Sequence, residues 1–222
     1  MLSKLPKWIE YGAFVLALVA GCINAIGLLG FEHQSVSHLS GTATLLGTSF
    51  LGDSFEASLH LGAVLIAFFA GASISGFLLH GGRLKLGRRY DVALLFEAVF
   101  IFVSLFLLSK GYFAGQLAAS VACGIQNALA TTYSGAVIRT THLTGIFTDL
   151  GIMLGSVLKG ENFDKRKAAL FTHIIIGFVL GGTLGTYLFT LFRFQALLVP
   201  GFTCLVLAAG YRAYLKKQNT VT

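Results

Sequence analysis

Two short patterns hold the residues best suited to chemistry. His38-x-Ser40-Gly41-x-x-Thr44 and His142-x-Thr144-Gly145-x-x-Thr148 have the same plan, and Thr141 precedes the second. Each places small and hydroxyl residues at the opening of a short helical segment. A helix start carries free N–H groups and a partial positive charge. Two such starts facing each other would bind an anion or a polar neutral solute. The alternative is that the hydroxyls cap helices and bridge neighbouring segments. Asn24 and Asn127 lie inside apolar runs, beside Gly21 and Gly124. An amide in hydrocarbon needs partners. The pair either faces a pore, tethers the two polar segments by hydrogen bonds, or joins neighbouring helices.

Two carboxylates, Glu97 and Asp149, also fall within apolar segments. Such groups are expensive in a bilayer and point to function by default. Asp149 has a leucine at the matching place of the first half (Leu45 or Leu46, by alignment). A carboxylate present in one half only suits coupling to protons. Pairing with a buried histidine or with backbone donors is the structural alternative. His60 and His173 read as packing residues. No His-x-x-x-His spacing supports a metal site, and the pattern requires no cofactor. No Gly-x-Ser-x-Gly elbow or His-Glu-x-x-His helix is present, so the chain is not expected to be an enzyme. Cys22, Cys123 and Cys204 lie in apolar segments with no Cys-x-x-Cys pair, and read as buried thiols.

The elements that would position these residues follow from composition. The chain is 55% hydrophobic and 11% charged, against ~45–50% and ~25% in soluble domains. Lipid removes the need for polar surface and forces the backbone into helices or a closed barrel. Long apolar runs without period-2 alternation select helices. The net charge of +7 does not signal nucleic acid, because the basic residues sit in clusters between apolar runs rather than in an aromatic-interleaved stripe. Val19-Ala20-Gly21-Cys22 has the look of a lipoprotein cleavage site, but the apolar segment continues through Leu29.

The sequence repeats itself. Gly21-Cys22-Ile23-Asn24-Ala25 returns as Gly124-Ile125-Gln126-Asn127-Ala128, and the two histidine motifs follow in the same order with the offset changed by one residue. Ala67, Gly71 and Ser75 match Gly177, Gly181 and Gly185, and Arg89-Tyr90 matches Arg193-Phe194. The single membrane domain, 1–222, thus divides into repeats of about 8–110 and 111–214. Strongly apolar segments are expected at about 8–29, 56–80, 90–109, 112–134, 168–192 and 194–213. Weaker ones lie at about 38–51 and 141–158. The first of these is ~21 Å as a helix, short of a ~30 Å hydrocarbon core.

Charge decides how many segments cross. Eight spans with the N-terminus inside would put the basic stretch Arg83 to Arg89 outside, against the positive-inside rule. Six spans put 14 of the 16 Lys and Arg in the cytoplasm, including Lys4, Lys7, Lys85, Arg88, both Lys216 and Lys217, and both termini. Only Lys110 and Arg193 fall outside. The expected fold is therefore all-α and polytopic: six transmembrane helices and two short re-entrant helices, arranged as two inverted repeats. The small-x-x-x-small ridges read as packing surfaces, and Pro200 is expected to kink the last span.

These landmarks resemble the YoaK-like family of uncharacterised bacterial membrane proteins (domain of unknown function 1275). The resemblance covers nearly the whole chain. It rests on Ser37-x-x-Ser40-Gly41-x-x-Thr44-x-x-Gly47, Cys123 to Ala128, and Thr141-His142-Leu143-Thr144-Gly145. Such proteins often have Asp at the place of Asn24 and Asn at the place of Thr42. The resemblance implies a multi-pass protein of the bacterial inner membrane and brings no substrate. The residues themselves lead to a membrane transporter or facilitator for a small polar or anionic solute, partnered by the lipid bilayer and by no nucleic acid. The glycine ridges also suit a homo-oligomer. The rival readings are a non-transporting partner or sensor subunit and a membrane-embedded enzyme.

Overall fold

A computed structural model of the chain describes residues 8–30, 36–52, 54–79, 89–134 and 138–219. Lys4, Lys7, Arg83, Lys85 and Arg88 of the charge pattern lie outside the described residues. The helices are α1 (Trp8–Gly30), α2 (Leu39–Gly52), α3 (Phe55–Leu78), α4 (Tyr90–Ser109), α5 (Ala114–Ser134), α6 (Leu143–Leu158), α7 (Lys165–Phe192) and α8 (Leu198–Asn219). A 3-10 turn, Arg193–Leu197, joins the last two. No strand occurs among the described residues. α3 and α7 start on side-chain caps at matching places of the repeat. Ser54 Oγ accepts from the Ala57 N–H at 3.2 Å, and Asp164 Oδ1 from the Lys167 N–H at 3.0 Å. Such caps satisfy donors that the first turn leaves open.

Among the described residues, four helical stretches are long and apolar enough to cross a membrane. They are Glu10–Gly30, Phe55–Leu78, Tyr90–Ser109 and Lys165–Lys217, the last being α7 and α8 joined through the turn. α5 stands apart from these despite the apolar segment expected over 112–134. Its Gln116, Ser120 and Gln126 are buried against other helices, and a helix enclosed in this way need not be apolar on every face. Large apolar side chains cover the outside, among them Ile66, Phe69, Phe77, Phe106, Phe202 and Val206. Such a continuous greasy exterior suits lipid and not water. The chain is an all-α membrane protein.

α1 lies along α7, and α3 along α5; α4 packs on both α5 and α8. Glycine explains the first two contacts. A Cβ at Gly181 would overlap the Leu18 carbonyl oxygen, and one at Gly71 the Val121 carbonyl oxygen. A Cβ at Gly21 would meet the Phe178 carbonyl oxygen, and one at Gly124 that of Phe68. Backbone therefore touches backbone, the arrangement small residues permit in membranes. The residues in these two contacts are counterparts under the internal repetition.

The expectation for Pro200 is corrected. α8 begins only at Leu198, so Pro200 occupies its first turn, where its missing N–H is no loss. The break lies upstream in the 3-10 turn. There Arg193 adopts a φ of 51°, the one positive φ at a non-glycine among the described residues.

Gly181→Leu should prevent assembly, because overpacking costs about 1–3 kcal/mol even when side chains can yield, and here the obstacle is backbone. Gly47→Leu, at a site with nothing within 4 Å of a new Cβ, should leave the thermal unfolding midpoint nearly unchanged. Equal behaviour of the two variants in detergent melts would refute the backbone-contact account.

Candidate functional site

The polar constellation begins where α1 and α5 meet the connections that lead into α2 and α6. Asn24 Oδ1 accepts hydrogen bonds from Ser37 Oγ at 2.8 Å and from the Ser37 N–H at 3.3 Å. Asn127 Oδ1 accepts from Thr141 Oγ1 at 3.0 Å, while its Nδ2 donates to the Cys123 carbonyl at 3.1 Å. In each half an asparagine thus holds the residue just ahead of the histidine motif. Of the roles open to the two amides, this geometry is the tether.

α5 fastens both connections further. Ser120 Oγ lies within hydrogen-bonding distance of the Val36 carbonyl at 3.2 Å and the Val64 carbonyl at 2.9 Å. Ser134 Oγ accepts from the Ile138 N–H at 2.7 Å. Gln126 Nε2 donates to the Leu16 carbonyl and to Thr140 Oγ1. Sequence reasoning missed Gln126 as a site residue. Its counterpart in the first half is Ile23, so a search guided by repetition passes over it; an amide within an apolar run was the available signal.

The histidine motifs share a second feature. A Cβ at Gly41 would strike the His38 ring, and one at Gly145 the His142 ring. Each imidazole therefore folds back over the glycine three residues on, which is why that position has no side chain. His142 is the N-cap of α6 and makes no side-chain cap bond. Beyond the rings, Ser40, Thr44, Thr144 and Thr148 are exposed. Thr44 Oγ1 donates to the Ser40 carbonyl and Thr148 Oγ1 to the Thr144 carbonyl, both at 2.9 Å.

The structure does not bring the two motifs together. α2 packs on α3, with Ser49 and Ser58 hydroxyls 2.7 Å apart, and α6 packs on α7; α2 and α6 make no contact with each other. Each short helix is held by its sequence neighbour, so the two starts do not form a joint pocket in this conformation. Asp149 is half-exposed and pairs with Lys167 of α7 at 3.2 Å. Nearby, Glu10 of α1 pairs with Arg166 at 2.9 Å.

Glu97 has a different setting. It is completely buried, about 10 Å beyond the start of α4 at ~1.5 Å per residue. Beyond the Cys204 thiol, neither carboxyl oxygen has a hydrogen-bond partner among the described residues. The Cys204 thiol of α8 lies beside it and Cys123 of α5 is near. All three cysteines are buried free thiols, with Cys22, Cys123 and Cys204 in one apolar cluster. His60 stacks on Phe113 with ring centroids 3.9 Å apart, a packing role, and His173 is exposed on α7. Among the described residues, no group of three or more His, Cys, Asp or Glu is placed to hold a metal ion.

The model of a family described as "Protein of unknown function (DUF1275)" matches residues 12–210. The chain belongs to that family. No curated protein and no solved structure matches it.

The Asn127–Thr141 bond should be measurable as a coupling. Thr141→Val removes the donor and should lower stability by about 0.5–1.5 kcal/mol. In an Asn127→Leu background the same change should cost far less. A double-mutant cycle on thermal or denaturant unfolding tests this, and additive losses would show that the bond contributes nothing.

Proposed function

We propose that this DUF1275 member is a transporter or facilitator for a small polar solute in the bacterial inner membrane, with Glu97 as its proton-binding group. The observation that carries the proposal is the carboxyl of Glu97. An ionisable side chain held inside an apolar bundle, facing other helices with only a thiol to bond to, is costly unless used. Among the described residues it has no ion-pair partner that would make it a structural salt bridge.

In this reading α1, α3, α4, α5, α7 and α8 cross the bilayer, and α2 and α6 enter it without crossing. The positive-inside distribution supports six crossings with cytoplasmic termini. Three crossings per half orient the halves oppositely. The matched glycine contacts, matched caps and matched asparagine tethers support two copies of one unit. Transporters built from such inverted units place their sites near the midplane, beside interrupted helices. The hydroxyls of Ser40, Thr44, Thr144 and Thr148 would meet the solute along the outward faces of the two short helices, and the asparagines would set the depth of those helices. Motion of α2 and α6 relative to the bundle would then couple to Glu97 through α5, which touches the connections to both.

Two experiments test the proposal. In proteoliposomes with an imposed pH gradient, uptake should be detected within a panel of radiolabelled neutral polar solutes and small organic anions. Glu97→Gln should abolish gradient-driven accumulation yet keep downhill exchange, while Asn127→Leu should reduce both with the protein still folded. Absence of flux for the whole panel, or full accumulation by Glu97→Gln, would overturn the assignment. Separately, single cysteines introduced between Arg83 and Arg89 should resist impermeant maleimide in intact cells, while one at Lys110 should react. The reverse labelling pattern would exclude six crossings.

A further inference from the structure

A cavity lies away from the histidine motifs, between α1, α4, α5 and α8. Its volume is about 540 Å³, within the ~300–1,000 Å³ range of small-ligand pockets. Leu94 and Leu129 form a buried back wall, and Tyr11, Tyr90, Tyr211 and Tyr214 surround the end nearest the chain termini. The cavity exists because one seam is left unfilled. α4 packs closely along α5, whereas α8 packs only loosely along α1, the corresponding pair under the internal repetition. Gly12 and Gly115 are counterparts in these two seams. At Gly115 the Leu108 side chain fills the space a Cβ would take, but at Gly12 nothing stands within 4 Å. Leu108 is matched by Arg212, which is exposed and does not line the cavity. Gly210, on the opposite wall, also has nothing within 4 Å of a new Cβ.

The opening is lateral. The exposed lining residues are Tyr11 on α1 and Val206, Gly210 and Tyr214 on α8, so the gap faces the bilayer. Among the described residues, no charged side chain lines the cavity. At its tyrosine end, Arg89 precedes Tyr90 at the start of α4. Lys217 follows Tyr214 by three positions and Gly210 by seven, which puts it on the same face of α8. Of the carboxylates at this end, Glu10 is engaged by Arg166, and Asp91 adjoins Arg89 in the first turn of α4. Tyrosine is the residue that suits the boundary between hydrocarbon and headgroups.

The geometry points to a binding site for the single hydrocarbon chain of an anionic amphiphile of the fatty-acid class. The tail enters between α1 and α8 and rests on Leu94 and Leu129. The carboxylate remains at the tyrosine ring, toward Lys217 and Arg89. This site goes beyond the transport reading and does not use Glu97.

The test uses the full-length protein in phosphatidylcholine nanodiscs, with a palmitate analogue carrying a mid-chain diazirine. Photolabel should map to residues 11–16 and 206–214. Excess palmitate should displace it and hexadecylamine should not. Gly12→Leu and Gly210→Phe fill the cavity from opposite walls without meeting backbone. Each should reduce labelling about tenfold, equivalent to ~1.4 kcal/mol, with the unfolding midpoint retained. Glu97→Gln should leave labelling unchanged, so failure of the transport reading would not affect this result. Label spread evenly over the lipid-facing helices, unaltered labelling in either folded variant, or equal displacement by the amine would overturn the assignment. If both variants fail to fold, the label map and the amine competition on the unaltered protein decide it.

Discussion

Backbone contact between helices is the constraint from which the remaining architecture follows. Lipid gives apolar side chains no reason to prefer one another over acyl chains. Close approach must therefore supply the adhesion, and it does so where Gly181 meets Leu18 and Gly71 meets Val121. With those two helix pairs locked, α5 lies within the bundle. Only then can one helix carry Gln116, Ser120 and Gln126 out of contact with lipid, and use Ser120 and Gln126 to fasten the connections on either side. The polar chemistry of this protein depends on glycine before it depends on any polar residue.

Much of the helical plan was legible because the apolar runs are long and end in charged or glycine-rich breaks. The expected segments at 8–29, 38–51, 90–109 and 141–158 differ from α1, α2, α4 and α6 by only a residue or two at their ends. The end of the chain was less legible. α8 starts several residues later than expected, because the turn at Arg193 to Leu197 depends on a backbone conformation that no residue type there announces. The asparagine tethers could be read as one of several roles for an amide in hydrocarbon, since need for a partner does not name the partner.

Other features were hidden for a shared reason. Repetition directs attention to what the halves have in common, while Gln126 against Ile23, and the filled space at Gly115 against the open one at Gly12, are differences. The nearness of Glu97 to Cys204 is likewise a contact between distant segments with no pattern to mark it. Separation of the two histidine motifs belongs here too. Matching sequence fixes matching local structure, such as the imidazole lying over its glycine, but leaves open whether two such units meet.

The threonines of the short helices have a chemical polarity of their own. Thr44 and Thr148 each direct their single hydroxyl proton back to a carbonyl one turn earlier. What remains outward is lone-pair density. Each of these two positions is thus an acceptor on its own helix, offering lone pairs to a donor and no proton to another oxygen until the rotor turns. Rotation would free the donor without breaking any backbone bond of the helix, so the face can reverse its hydrogen-bonding sense while the segment keeps its shape.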